Sequence, residues 1–436
     1  MLSRLHLQDR FSVCSRSSRA WLASQWHTPL YRNANALAFS SAMSSVLGLV
    51  FWVIAARLYE TEVVGIAGAM LAAMMFIANV ASLNLAMAIQ RFLPTVGGQA
   101  PRLVLAIYGL VMVTSILVLA LFVLGASYGM QALGFAQPHQ SMPWLFAVAT
   151  VAWCIFTLQD AVLTGLRQAV WVPIENILFN LVKIGLLIGF AASLPENGIL
   201  ASWTLGVLLT ILPVNWLIFA KLMPATSAPG KPIDPRHIAR FAGLDYVGSW
   251  FAYAAIDLTP MLVVWLLGAA ANAYYFLSWS IVYALYLINS NIGSSLVVEG
   301  ARHPGNLAPL AKRALGQNLL LVTPIVLVLM VASPYILWLF GPEYADNAAA
   351  LVRVLALSAL PQIIVAIYLS VIRVEGRMGQ VVLVEGALAL IVLGGGIVMM
   401  RAFGLMGIGY TWLAAQTLLA VLLLAFPLRR LLVASG

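Results

Sequence analysis

Charge is what this 436-residue sequence lacks. Only 8% of its residues are Asp, Glu, Lys or Arg, against about a quarter in an ordinary soluble domain. That is too little to wet the outside of a body this size, so a water-soluble globule is excluded. Cysteine is nearly missing as well. Cys14 lies in an arginine-rich head and Cys154 in an apolar run, which argues against a disulfide framework. The five histidines, at 6, 27, 139, 237 and 303, are scattered. No HExxH, paired cysteines or GxxxxGK[ST] accompanies them, so no metal, nucleotide or other cofactor is expected. The head also lacks the apolar core and small-residue cleavage site of a removable signal peptide.

What is there is apolar. Hydrophobic residues make up 63% of the chain and the mean hydropathy is +0.98. A bilayer-spanning helix needs about 20 apolar residues, so the length admits about a dozen spans with short connections. Apolar stretches between Gly, Pro and charge clusters predict helices near 35–57, 64–90, 103–125, 143–166, 170–192, 198–222, 241–266, 270–298, 315–340, 346–372, 379–401 and 405–427. The expected fold is an all-α polytopic membrane protein.

The positive-inside rule tests the count, because one missed span would move every later loop to the wrong side. Nineteen of the 23 Lys and Arg residues fall on one side, in the head, around Arg91, Arg102 and Arg167, in 221–240, and around Arg302, Arg373 and Arg429. The other side has only Arg57 and Arg401, and Lys183 and Arg353 lie within spans. Both termini are therefore expected in the cytoplasm of a plasma-membrane protein. The net charge of +9, so placed, makes membrane lipid and not nucleic acid the expected partner.

The proline-rich stretch from Lys221 to Arg240 divides the helices six and six. It gives a basic tail over 1–33, an N-lobe over 34–222, a linker over 223–240, a C-lobe over 241–428 and a tail over 429–436. Shifting the chain by 210 residues lays Arg167 on Arg377, Glu175 on Glu385 and Gly185 on Gly395. An offset of 209 lays Gly198, Ile199 and Trp203 on Gly407, Ile408 and Trp412. Two lobes related by an internal repeat, with an axis along the membrane normal, follow.

Ionisable groups inside a span are costly and need a partner, a cavity or a snorkelling route. On the fifth helix Glu175, Asn176, Asn180 and Lys183 share one sector. Lys183 is either a cavity-wall cation for an anionic group or half of a buried bridge to a carboxylate. On the seventh helix Asp245, Ser249, Tyr253 and Asp257 line one face just before Pro260. Asp257 is either a coupling carboxylate or a hydrogen-bonded brace for a kink, and Asp160 and Glu175 are further coupling candidates. Arg353 is a second anion contact or a snorkelling arginine. The eighth helix stacks Tyr275, Trp279, Tyr283 and Tyr286 on one sector, a surface for sugar rings or a plain packing face. Asn79, Ser82 and Gln90 make a smaller polar face on the second helix.

Three segments, FWVIAARLYETEVVGIAGA (51–69), LNLAMAIQRFLP (83–94) and DAVLTGLRQAVWVPIENILFNLVKIGLL (160–187), resemble bacterial polysaccharide flippases, which share a superfamily with the multidrug extruders and the lipid II flippase. Arg57, Tyr59, Gly65, Arg91 and Pro94 sit in that pattern. The resemblance implies a central cavity between two lobes and transfer of an undecaprenyl-pyrophosphate-linked oligosaccharide to the outer leaflet by alternating access. Its implied partners are a polysaccharide polymerase and glycosyltransferases, with coupling to a proton or cation. The first span lacks the acid common in drug extruders, and two C-terminal helices of the lipid II flippase are missing. A cation-coupled small-molecule exporter is the alternative, and a polytopic glycosyltransferase or a non-transporting scaffold for glycan synthesis fits less well.

Overall fold

A computed structural model describes residues 29–129, 142–223, 246–302 and 304–425. Residues 1–28 of the basic head, 224–240 of the linker, Asp245 and the C-terminal tail lie outside the described residues, so the domain boundaries drawn there stay expectations. Among the described residues there is helix and no strand, as a lipid solvent demands, because a helix satisfies its backbone polar groups internally.

Among the described residues, twelve helices are long and apolar enough to span a bilayer. They are α1 (Phe39–Leu58), α2 (Thr61–Ala81), α3 (Gly97–Gly125), α4 (Pro143–Gly165), α5 (Trp171–Phe190), α6 (Gly198–Leu222), α7 (Tyr246–Leu267), α8 (Ala269–Arg302), α9 (Leu307–Trp338), α10 (Pro342–Val374), α11 (Met378–Phe403) and α12 (Leu405–Ala425). The first six pack into one lobe, around α4 and its neighbours. In the second six, α8, α9, α11 and α12 pack on α10, the most deeply buried of the described spans, while α7 packs on α8 and α11. The lobes meet chiefly along α2, which runs beside α8 over one half of its length and beside α7 over the other.

Small residues permit that close approach. A Cβ on Gly65 would stand 1.8 Å from the Ala269 carbonyl oxygen, and one on Gly68 would stand 2.8 Å from the Phe276 ring. Asn272 of α8 uses the proximity to donate to the Gly65 carbonyl at 2.7 Å.

The two copies of the repeat end their fourth helices alike. Arg167 N–H bonds to Thr164 O and Gln168 N–H to Leu163 O, while Gly376 N–H bonds to Arg373 O and Arg377 N–H to Ile372 O. Each is a Schellman turn through a left-handed residue, Arg167 at φ 60° and Gly376 at φ 72°. Equivalent atoms are 209 residues apart, and the buried faces that follow keep that spacing, with Val172, Glu175, Phe179, Asn180 and Lys183 matching Val381, Val384, Leu388, Ala389 and Val392. The offset of 210 therefore mispairs the glutamates, since Glu175 corresponds to Val384 and Glu385 to Asn176. At the same offset Gly185 falls on Gly394, within a π turn at Ile391–Gly395 of α11.

Candidate functional site

The helix that carries Asp257 is broken at that residue. Pro260 cannot donate to the carbonyl four residues earlier, and α7 is divided into Tyr246–Asp257 and Thr259–Leu267, the second piece with Pro in its first turn. Thr259 Oγ1 donates to Ala255 O at 2.5 Å and steadies the bend. Asp257 ends up half-buried at the lobe interface, where Asn79 Nδ2 of α2 reaches its Oδ2 at 3.4 Å. Nearby, the Tyr246 hydroxyl donates to the Val80 carbonyl across the same interface. Tyr283 lies within electrostatic reach of both Asp257 and Tyr253, and the two tyrosines are exposed. Asp257, Tyr253, Tyr283 and Asn79 thus form an acidic, aromatic site on both lobes. The sequence put these residues on three separate helix faces without joining them.

Lys183 belongs to neither of its expected settings. It is 2% exposed, so it lines no gap between the lobes, and among the described residues no carboxylate stands within ion-pair distance of it. Its Nζ is instead enclosed by rings inside the N-lobe, 3.9 Å from the centroid of Trp203, 4.6 Å from Phe179 and 4.7 Å from Phe51. Trp153 and Phe156 of α4 back this cage, with Trp153 5.5 Å from Trp203 and Phe156 4.9 Å from Phe179. Gly206 lets α6 close against the Lys183 stem. Phe51, Phe179 and Trp203 were missed by sequence reading, because single rings on three helices leave no periodic signal.

The remaining polar residues of α5 turn to other partners. Asn176 Nδ2 donates to both Asp160 oxygens, at 3.2 and 3.3 Å, and Asn180 Nδ2 to the Asn176 carbonyl at 2.7 Å. Glu175 is 2% exposed and neither of its carboxylate oxygens has a hydrogen-bond partner. The four residues thus do not form one continuous cavity wall. Glu385, in contrast, faces Arg373 at 4.0 Å. Arg353 is half-buried and its Nε has no hydrogen-bond partner.

The aromatic stripe of α8 is mostly core. Tyr275, Trp279 and Tyr286 are buried. Trp279 stacks on Trp412 at 4.5 Å, Trp412 Nε1 donates to the Tyr275 hydroxyl at 3.3 Å, and the Tyr286 and Ser358 hydroxyls pair at 2.8 Å. These three rings pack the C-lobe, which removes the sugar-platform reading for them. Tyr283, at 37% exposed, is the member of the stripe left for a ligand.

A second inter-lobe contact closes the far end of α1. Arg57 donates from Nε to Leu339 O at 3.0 Å and from Nη2 to Trp338 O at 2.7 Å, and lies over the Trp338 ring at 5.4 Å. Thr61 donates to Glu343 Oε1 at 2.6 Å beside it. Next in the chain, Tyr59 is buried with its hydroxyl on the Leu187 carbonyl at 2.8 Å, and burial pushes its phenol up to about 12.

No protein-family model and no curated protein matches the chain. Solved structures do. An inward-facing multidrug resistance MATE family transporter of the MOP superfamily aligns over 93% of this chain and 100% of its own, at 14% identity and a TM-score of 0.66. An outward-facing multidrug resistance MATE transporter aligns over 94% and 96%, at 13% identity and a TM-score of 0.60. A MOP superfamily transporter from Pyrococcus furiosus, described as having a binding pocket of reversed polarity that suggests a different function, aligns over 94% and 96%, at 13% identity and 0.63. This multi-pass membrane protein therefore has the two-lobed fold of the MATE transporters.

Proposed function

We propose that the chain is an alternating-access exporter of amphiphilic organic cations, coupled to an opposing flux of protons or cations. The observation that carries this reading is Asp257, a carboxylate beside the exposed ring of Tyr283, which Tyr253 also neighbours, and hydrogen-bonded across the lobe interface by Asn79. Rings and an acid suit a cationic amphiphile. A cation or proton on Asp257 would also weaken the Asn79 bond, so occupancy and lobe movement would be linked. The multidrug transporters among its structural neighbours support the same class.

The charge bias of the loops would put the Arg57 contact outside and the open approach inside. The second reading is a flippase for lipid-linked oligosaccharide, favoured by segments 51–69, 83–94 and 160–187. The cage around Lys183 weakens it, because the best intramembrane cation is then withheld from a pyrophosphate, leaving Arg353. Vesicles holding the purified protein decide. Uptake of a fluorescent lipophilic cation driven by an imposed proton or sodium gradient and lost in Asp257→Asn supports the exporter. Scrambling of a polyprenyl-pyrophosphate oligosaccharide without cation uptake would replace it with the flippase.

A further inference from the structure

The cage around Lys183 raises a question of its own, since its Nζ is held among rings with no carboxylate among the described residues within ion-pair distance. In hydrocarbon a bare cation is costly, and three ring faces recover part of that cost. Neutral Lys183 would lose the ring attraction but need no compensation for charge, so the two protonation states favour different environments. The other lobe supplies an internal comparison. At the position equivalent to Lys183 stands Val392, and Trp412, the counterpart of Trp203, is covered by the indole of Trp279. The same nest can therefore be filled with no charge at all, so the ammonium is not needed to pack it.

We propose that Lys183 is a proton-carrying site of the N-lobe, giving up its proton to the departing water as Phe51, Phe179 and Trp203 close around it and taking one back when they part and readmit water. The ammonium gives one proton to a water molecule and becomes an amine, and the reverse step reloads it. The cage joins rings from α1, α5 and α6, so parting it moves these helices against one another. That movement is the link to transport, and in this respect the inference rests on the exporter reading. Other ionisable groups are remote or turned away. From α1, Arg57 reaches to the C-lobe and Tyr59 bonds Leu187. From α4, Asp160 is held by Asn176. On α5 itself, Glu175 lies two turns off. Helix α6 has no ionisable side chain before Lys221.

The experiment reads the proton without needing a substrate. In detergent or vesicles, the emission of Trp203, taken as wild type minus Trp203→Phe, should change sigmoidally over about two pH units as the ammonium beside it titrates. The change should vanish in Lys183→Met, which keeps the stem and the packing. A flat wild-type signal, or a titration that survives Lys183→Met, overturns the proposal. In vesicles Lys183→Met should still exchange cation downhill but lose stimulation by a pH gradient, and Lys183→Arg, which stays charged, should lose it as well. Retained stimulation in either variant also overturns it. If no variant and no wild type moves a cation, the exporter reading fails while the fluorescence still decides the proton site.

Discussion

Arg57 closes α9 from the other lobe. Its guanidinium stands 2.7 Å from the Trp338 carbonyl and 3.0 Å from that of Leu339, where the last turn of a helix leaves acceptors free and favours a cation. The contact joins the end of the first helix of the N-lobe to the end of the third helix of the C-lobe, so the lobes cannot part at this end without losing it.

Arg57→Ala should loosen this contact. Because the arginine is exposed, about 1 kcal/mol is a fair size for the loss, which shifts the closed-to-open balance roughly fivefold. Distances between spin labels on the α1–α2 and α9–α10 connections should broaden toward longer values. An unchanged distribution would leave Arg57 without a gating role.

Gly65→Ala should be far more damaging than its size suggests, since the added methyl meets the Ala269 carbonyl oxygen at 1.8 Å. The backbones of α2 and α8 must separate to admit it, with a cost of about 1–3 kcal/mol. A melting temperature lowered by several degrees, with Gly48→Ala as a silent control because nothing lies within 4 Å there, would confirm the close crossing.

Trp412→Ala and Tyr283→Ala should separate stability from transport. The first empties a nest shared with Trp279, Tyr275 and Tyr286 and should cost about 3–5 kcal/mol, seen as lower thermal stability and yield. The second removes an exposed ring beside Asp257 and should leave stability near wild type while raising the substrate concentration needed for half-maximal transport.

Asp257→Asn keeps a partner for Asn79 and loses only the charge. It should leave the fold intact and make cation movement insensitive to an imposed pH gradient. A variant that still responds would move the coupling group elsewhere.

The architecture was legible because lipid imposes a simple rule, and helices came out within a few residues of their apolar runs. Two helices differ by more: the second, expected to run to 90, stops at Ala81, where Leu83 and Asn84 take left-handed backbone and a separate short helix, Leu85–Phe92, follows, and α9 starts at Leu307 rather than at 315 because an amphipathic turn precedes its apolar stretch. Site residues were harder. Asp257 and Tyr283 were singled out by charge and exposure-friendly chemistry, but their meeting with Asn79 depends on how the lobes cross, which no spacing records. Lys183 stood out as a charge within a span, yet its surroundings come from Phe51 and Trp203, distant in sequence. Tyr275, Trp279 and Tyr286 were indistinguishable from a binding face because a packing stripe has the same period.

The two nests built on Trp203 and Trp412 also bear on ancestry. One encloses a lysine side chain and the other an indole, so the halves have diverged beyond interchange. A gene encoding two N-terminal halves in tandem would put a lysine where the C-terminal half has Val392. A split protein should likewise regain activity only from unlike fragments.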